Sequence, residues 1–323
     1  MTGHRSDDQR LLIITPVHNE SRHLASTASS VAAQTRPPDL WLVANDGSDD
    51  GTLEIARDLE REIPFLRVVD VEQPRMDGSD RLALALEARA FNSALQGVPW
   101  EDFTHLGKLD GDIELPRDYF EQVLRAFWVD SRLGVFGGSI VEPSGGSGNW
   151  KRVTAPSYHV HGALKHYSRE CFAAIGGISE RLGWDTIDET YARMRGFRTF
   201  RDPTLVARHH RPSASAGGKL RGRARHGECA YIARYSAWWV ALRSLKMAVR
   251  WDPRGLSGLA FLWGFLSAPL RRMPRVEDPE FKRFVRAELR GRLRATASGR
   301  PLRHAAAAYG SGRTAAQEYW VGR

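Results

Sequence analysis

At 323 residues the chain can bury a substantial core as one large α/β domain or two smaller ones, and a composition of 42% hydrophobic and 26% charged residues excludes general disorder. The two cysteines, Cys171 and Cys229, lie far apart and outside any CxxC or Cys/His spacing, which excludes a disulfide framework and a structural zinc. The net charge of +9 hides a division: residues 1–200 carry 22 Lys+Arg against 30 Asp+Glu (net −8), whereas residues 201–323 carry 25 against 8 (net +17). An acidic front suits bound cations, and a basic rear suits anionic lipid, nucleic acid or acidic glycans, or forms a solvated basic surface.

The polar start, MTGHRSDDQR, runs directly into LLIIT without a secretory n-region and h-region, so a cytoplasmic location is expected. From there to about residue 141, short apolar runs alternate with helical patterns at βα spacing. LLIIT (11–15) reads as a buried strand, followed by a helix through HLASTASSVAAQ (23–34). LWLVAND (40–46) is a second strand, and TLEIARDLEREI (52–63) places Leu53, Ala56, Leu59 and Ile63 on one helical face. FLRVVDV (65–71) is a third strand, Arg81 to Leu95 a third helix, HLGKLD (105–110) a fourth strand and VFGGSIV (135–141) a fifth. Such repetition predicts a mostly parallel sheet flanked by helices, with the ligand held at the carboxyl ends of its strands.

The polar residues follow that rule. His18, Asn19 and Glu20 follow the first strand, Asn45 and Asp46 end the second, and Asp110 and Asp112 end the fourth, so three clusters are expected at one edge. PSGGSGNW (143–150) reads as a loop where a substrate-covering segment could move, and Asp185, Asp188 and Glu189 lead into a later helix. Residues 230–250 look helical. Leu256 to Leu270 is apolar for 15 residues, short of the ~20 that cross a bilayer core. Three regions are expected: 1–215 as the α/β domain, 216–290 as a basic, Trp-rich helical extension, and 291–323 as an Arg/Ala/Gly-rich tail, partly disordered. No P-loop, GxGxxG, internal repeat or recognised nucleic-acid motif is found.

TPVHNE, ANDGSDDGT, LDGD and GWDTIDE, in that order, resemble the family 2 glycosyltransferases over roughly residues 11–211. The resemblance implies a GT-A fold, Rossmann-like, with the C-terminal helices as an extension. It also implies a non-processive, metal-dependent, inverting transfer of a sugar from a nucleoside-diphosphate sugar to a hydroxyl of a glycan, lipid-linked or polyprenyl-linked acceptor. Asp112 would ligate Mg²⁺ or Mn²⁺, with Asp110 on the metal or the ribose and His209 as a further ligand; His210 is its neighbour. Carboxylates and diphosphate oxygens suit either ion, and an imidazole suits Mn²⁺ better. Thr15, Pro16 and Val17 would wrap the base and Asp46 would accept from it, with Glu20, Asn45, Arg89, Asn92 and Gly111 completing the donor site. The family's catalytic Glu-Asp pair is replaced by Trp184-Asp185, so Asp185 is the expected base and Asp188 its competitor. His159 and His161 flank the acceptor side. Trp238, Trp239, Trp251 and Trp263 beside basic helices fit either an anionic membrane surface or packing against the domain or a second subunit. The competing expectations are a sugar-phosphate nucleotidyltransferase and a nucleotide-sugar-binding, membrane-associated protein without catalysis; no nucleic-acid partner is expected.

Overall fold

The computed structural model describes residues 8–71, 81–144, 148–211 and 218–297. The strands are β1 (Leu11–Val17), β2 (Leu40–Asn45), β3 (Leu66–Asp70), β4 (His105–Leu109), β5 (Ile113–Glu114), β6 (Leu133–Pro143), β7 (Trp150–Arg152), β8 (Leu164–Ser168) and β9 (Arg198–His209). They form one sheet in the order β3-β2-β1-β4-β8-β6-β9-β5, with β7 paired to β6. β3, β2, β1 and β4 are parallel; β8 runs against β4 and β6, while β6 and β9 are parallel to each other. Among the described residues, only β5, β7 and β8 therefore oppose the common direction.

β1 reads LLIITPV because both faces of the sheet are covered. Leu11 and Ile13 face one core, with Leu24, Ala28 and Val31 of α1 (Leu24–Ala32) and Phe120, Val123 and Phe127 of α4 (Tyr119–Val129). Leu12 and Ile14 face the other, with Phe91 and Ala94 of α3 (Leu86–Gln96), Phe172 of α5 (Arg169–Ile175) and Trp184 of α6 (Trp184–Met194). The helical stripe expected on residues 52–63 also forms: α2 (Thr52–Glu62) buries Ala56, with Leu53, Leu59 and Ile63 against the first core.

The C-terminal part is helical: α7 (Lys219–Ile232), α8 (Ala237–Arg250), α9 (Leu256–Leu270) and α10 (Pro279–Ala297). It shares a core with the sheet domain, since Ile187 of α6 packs with Tyr231, Ile232, Ala268, Phe281, Val285 and Leu289. No helix among the described residues is long and apolar enough to cross a membrane.

Several sequence expectations change. The third helix starts at Leu86, because Ala85 adopts a left-handed φ of 51° and the preceding residues form a turn. The helix expected over 230–250 is two helices, broken where Arg234 takes a φ of 63° and Ser236 is extended. A single left-handed residue leaves no trace in periodicity. The fifth strand, β6, enters antiparallel to its neighbour β8, and α10 continues past 291, where the tail was expected to begin. The expected domain boundary at 215/216, the loop residues 145–147 and the tail from 298 lie outside the described residues.

Candidate active site

β2, β1 and β4 are parallel neighbours, so Asn45, Val17 and Leu109 end at one edge and the loops leaving them meet. Two of these loops clasp each other. Asn19, at a φ of 59°, donates its backbone N–H to Ser48 Oγ (3.1 Å) and its side-chain amide to Asp49 (2.8 Å), while the Glu20 N–H donates to Thr52 Oγ1 (2.7 Å). Much of NDGSDDGT is therefore loop architecture. The turn between Asp110 and Asp112 is equally confined: a Cβ on Gly111 would lie 3.0 Å from Val17 Cγ1 and 3.2 Å from Glu20 Cγ. Thr27 donates to the Gly111 carbonyl at 2.9 Å and holds the turn down.

β5 then pairs with the end of β9, Ile113 opposite His209, and the His210 N–H donates to the Asp112 carbonyl at 3.0 Å. This register brings residues a hundred positions apart into one acidic cluster. His209 Nε2 is 3.3 Å from Asp112 Oδ1, His209 Nδ1 is 3.4 Å from Glu142, and Arg211 Nε donates to Asp112 Oδ2 at 2.7 Å while its other arm binds Glu20. Burial would push the Asp112 carboxyl up, but His209 and Arg211 hold it at about 2. Burial opposes charge on His209 too, yet Asp112 and Glu142 raise it to about 10. Glu20 is pushed to about 7, by burial first and then by Asp112.

One ligand atom each from Asp110, Asp112 and His209 lies within 4.8 Å of the others. Two carboxylates and an imidazole suit Mg²⁺ or Mn²⁺, with the imidazole favouring Mn²⁺. The neutral ring is the ligating form, so a cation bound there would compete with the proton for His209.

Beside this cluster the carboxyl edge carries a buried charge array. Lys108 of β4 and Lys165 of β8 are register partners and both are fully buried. Lys108 pairs with Asp110 and Glu87 and donates to the Gly162 carbonyl at 3.2 Å; Lys165 pairs with Asp188 (3.1 Å) and Glu189 (3.2 Å). The Trp184 ring lies 5.4 Å from the Lys108 ammonium and 5.3 Å from that of Lys165, and its indole N–H donates to Glu87 at 3.0 Å. The indole that replaces an acidic residue of the expected pair thus presents its π face to two cations.

The two candidate bases differ sharply. Asp188 is buried, receives the Tyr167 hydroxyl and pairs with Lys165. Asp185 is half-buried in the first turn of α6, behind the left-handed Gly183, and among the described residues its carboxylate has no hydrogen bond or ion pair; only its carbonyl is used, by Lys165 at 2.5 Å. The segment joining it to the acidic cluster is short: Gly162 would place a Cβ 3.2 Å from Asp185 Cβ, and Ala163 accepts the Asp110 N–H at 2.9 Å.

The remaining sequence candidates divide. Thr15 turns inward and accepts from the Trp41 indole at 2.9 Å, and Asn45 donates to Asp70 at 3.0 Å. Pro16 and Val17 complete β1, and Asp46 beside them is paired with Arg81. Arg89 and Asn92 bind the 178–180 segment: Arg89 pairs with Glu180 at 3.5 Å, and Asn92 donates to the Ile178 carbonyl at 2.8 Å. His159 pairs with Glu189 at 3.1 Å, and His161 stands edge-on to it at 5.9 Å. Sequence reasoning missed Arg81, Glu87, Lys108, Lys165 and Arg211. A signal existed for the two lysines, since each interrupts an apolar strand where only a paired charge is stable.

A mixed sheet with its acidic cluster at the carboxyl edge is the arrangement of a GT-A protein, and similarity to solved structures agrees. A mannosyltransferase from Pyrobaculum calidifontis, solved with GDP-Man and Mn²⁺, is 19% identical, with a TM-score of 0.51 over 90% of this chain and 79% of that one. S. aureus TarS 1-349, solved with UDP-GlcNAc, is 13% identical, with a TM-score of 0.53 over 91% and 93%. GalNAc-T7 with UDP, GalNAc and Mn²⁺ is 14% identical, with a TM-score of 0.54 over 91% of this chain but only 58% of that one. No curated protein sequence matches the chain. The sequence model for glycosyl transferase family 2 matches residues 12–181, more than half of the chain, and the protein belongs to that family.

Proposed function

We propose that the protein transfers a hexosyl group, with inversion and with a divalent cation, from a nucleoside-diphosphate sugar to a hydroxyl of a glycan or lipid-linked acceptor, in the cytoplasm. The observation that carries the reading is the convergence of Asp110, Asp112 and His209 within 4.8 Å at the carboxyl edge of the sheet. The Thr15–Val17 backbone and Asp46 receive the base, and Asn45 shapes that loop through Asp70. Asp110, Asp112 and His209 hold the cation, which neutralises charge on the departing diphosphate. Glu20 and Arg211 set the charge around Asp112. Arg89 and Asn92 act indirectly, bracing the 178–180 loop ahead of Asp185.

Asp185 takes the acceptor's hydroxyl proton as that oxygen attacks the anomeric carbon. The bond from that carbon to the diphosphate breaks on the opposite face, and its electron pair leaves with the phosphate oxygen. Support for Asp185 over Asp188 is geometric: Asp185 is only half-buried and its carboxylate makes no hydrogen bond or ion pair among the described residues, while Asp188 is buried against Lys165 and Tyr167.

Asp185→Asn should lower kcat by roughly 10²–10⁴-fold while donor affinity, measured calorimetrically, stays the same. Asp112→Asn should remove the metal dependence of donor binding. Full turnover in Asp185→Asn would displace that residue from its role, and metal-independent donor binding by the wild type would remove the cation.

A further inference from the structure

Helices α8 and α9 form an antiparallel pair locked at Gly258, whose Cβ would lie 2.4 Å from the Ser244 carbonyl oxygen; the Ser244 hydroxyl donates to the Gly258 carbonyl at 2.8 Å. Val240 and Met247 of α8 and Phe261 of α9 share one small core with Ala230. On the opposite side of each helix runs an apolar stripe at helical spacing: Trp238, Leu242, Leu245 and Val249 on α8, and Leu256, Leu259, Trp263, Leu266 and Leu270 on α9. All nine are between 37% and 81% exposed. Scattered exposed apolar residues are ordinary, but two adjacent stripes without a polar interruption are not. Trp239 and Trp251, by contrast, pack inward.

The charges around these stripes are predominantly positive. From residue 229 to 276 the chain carries eight basic residues and one acidic residue, Asp252. Lys246 and Arg250 lie exposed on α8, Arg254 in the turn between the helices, and Arg271 and Arg272 just after α9, so basic groups flank the stripes at both ends. Arg271 also pairs with Glu228 at 2.6 Å and donates to Ser267 Oγ at 3.2 Å. A second protein copy would bring the same positive rim against this one, whereas an anionic surface complements it.

We propose that the α8–α9 face docks on an anionic lipid bilayer, with the leucine and tryptophan stripes in the headgroup boundary and the basic rim on the lipid phosphates. At 15 residues, α9 is too short to span and of suitable length to lie in the interface. This docking goes beyond the proposed sugar transfer and does not depend on it.

Flotation of the full chain with mixed phosphatidylcholine–phosphatidylglycerol vesicles tests the proposal, with pure phosphatidylcholine vesicles as the comparison. Binding should need the anionic lipid, weaken with salt, and weaken on the order of fivefold for each charge reversed in Lys246→Glu, Arg250→Glu and Arg254→Glu. Leu259→Glu with Trp263→Glu should abolish it while the melting midpoint is retained. Independently of those variants, brominated lipid should quench tryptophan emission in the wild type, and less so when Trp238 and Trp263 are both leucine. The proposal is overturned by the absence of vesicle binding, by binding indifferent to lipid charge or to the apolar pair, or by a concentration-dependent dimer that the apolar pair dissolves.

Discussion

Lys108 and Lys165 face each other across β4 and β8 with no access to water. Like charges at paired strand positions repel, and what offsets them here is the carboxylates of Glu87, Asp110, Asp188 and Glu189 with the Trp184 ring between. Removing Asp188 leaves the buried Lys165 with Glu189 as its remaining carboxylate partner and weakens the Tyr167 hydrogen bond. Asp188→Asn should therefore cost about 1–3 kcal/mol in urea unfolding, whereas Asp185→Asn, half-buried and without a hydrogen bond or ion pair at its carboxylate among the described residues, should leave stability nearly unchanged while turnover falls. Equal stability losses would contradict this division between a structural and a chemical carboxylate. Histidine titration offers a second residue-scale test. Burial holds His105 neutral, lowering it from 6.5 to about 4. Between those pH values the unfolded chain takes up a proton that the folded chain refuses, so stability falls as pH drops from 6.5 towards 4. In His105→Asn, the slope of unfolding free energy against pH in that window should flatten by about 1.4 kcal/mol per pH unit. An unchanged slope would show that His105 is charged in the folded protein.

At the scale of elements, the C-terminal helices reach the site through α6. Arg193 of α6 binds both carboxylate oxygens of Glu288 of α10, at 2.6 and 3.2 Å, and Arg292 joins that carboxylate at 3.1 Å. Both Arg193 and Glu288 are nearly buried, so Glu288→Ala should destabilise by about 3–5 kcal/mol, and combining it with Arg193→Met should recover most of the loss in thermal melts. α7 and α9 cross even more tightly, since a Cβ on Gly264 would lie 1.9 Å from the Ala224 carbonyl oxygen and one on Gly227 would lie 2.0 Å from that of Phe261. Gly264→Val must push the helices apart. A loss of about 1–3 kcal/mol or more is expected, and a melting midpoint unaffected by the substitution would refute the crossing. None of this was legible beforehand. The sequence showed helices and small residues in 219–270, but which glycine meets which backbone depends on a crossing geometry that periodicity does not encode.

At the scale of the whole molecule, the acidic part supplies Asp110 and Asp112 of the proposed cation site, and the basic part supplies His209 and the proposed lipid face. A nucleoside diphosphate with Mn²⁺ should raise the thermal midpoint, by about 2.7 kcal/mol of added stability at a hundredfold excess over Kd. The shift should vanish in Asp112→Asn. A shift of equal size with chelator present would show that the diphosphate binds without the cation.

A mostly parallel sheet flanked by helices, with Asp110 and Asp112 at the end of its fourth strand, could be read from the chain alone, because parallel βα units place each strand's carboxyl end at the same edge. That logic is local and repeats. The joining of His209 and Arg211 to Asp112 depended instead on the two-residue strand β5 finding β9 across about a hundred positions. The choice between Asp185 and Asp188 rested on which carboxylate the buried Lys165 claims. The resemblance named His209 and favoured Asp185, but the contacts themselves, Arg211 on Asp112 and Lys165 on Asp188, are set by packing and charge pairing between distant segments that a linear pattern does not record.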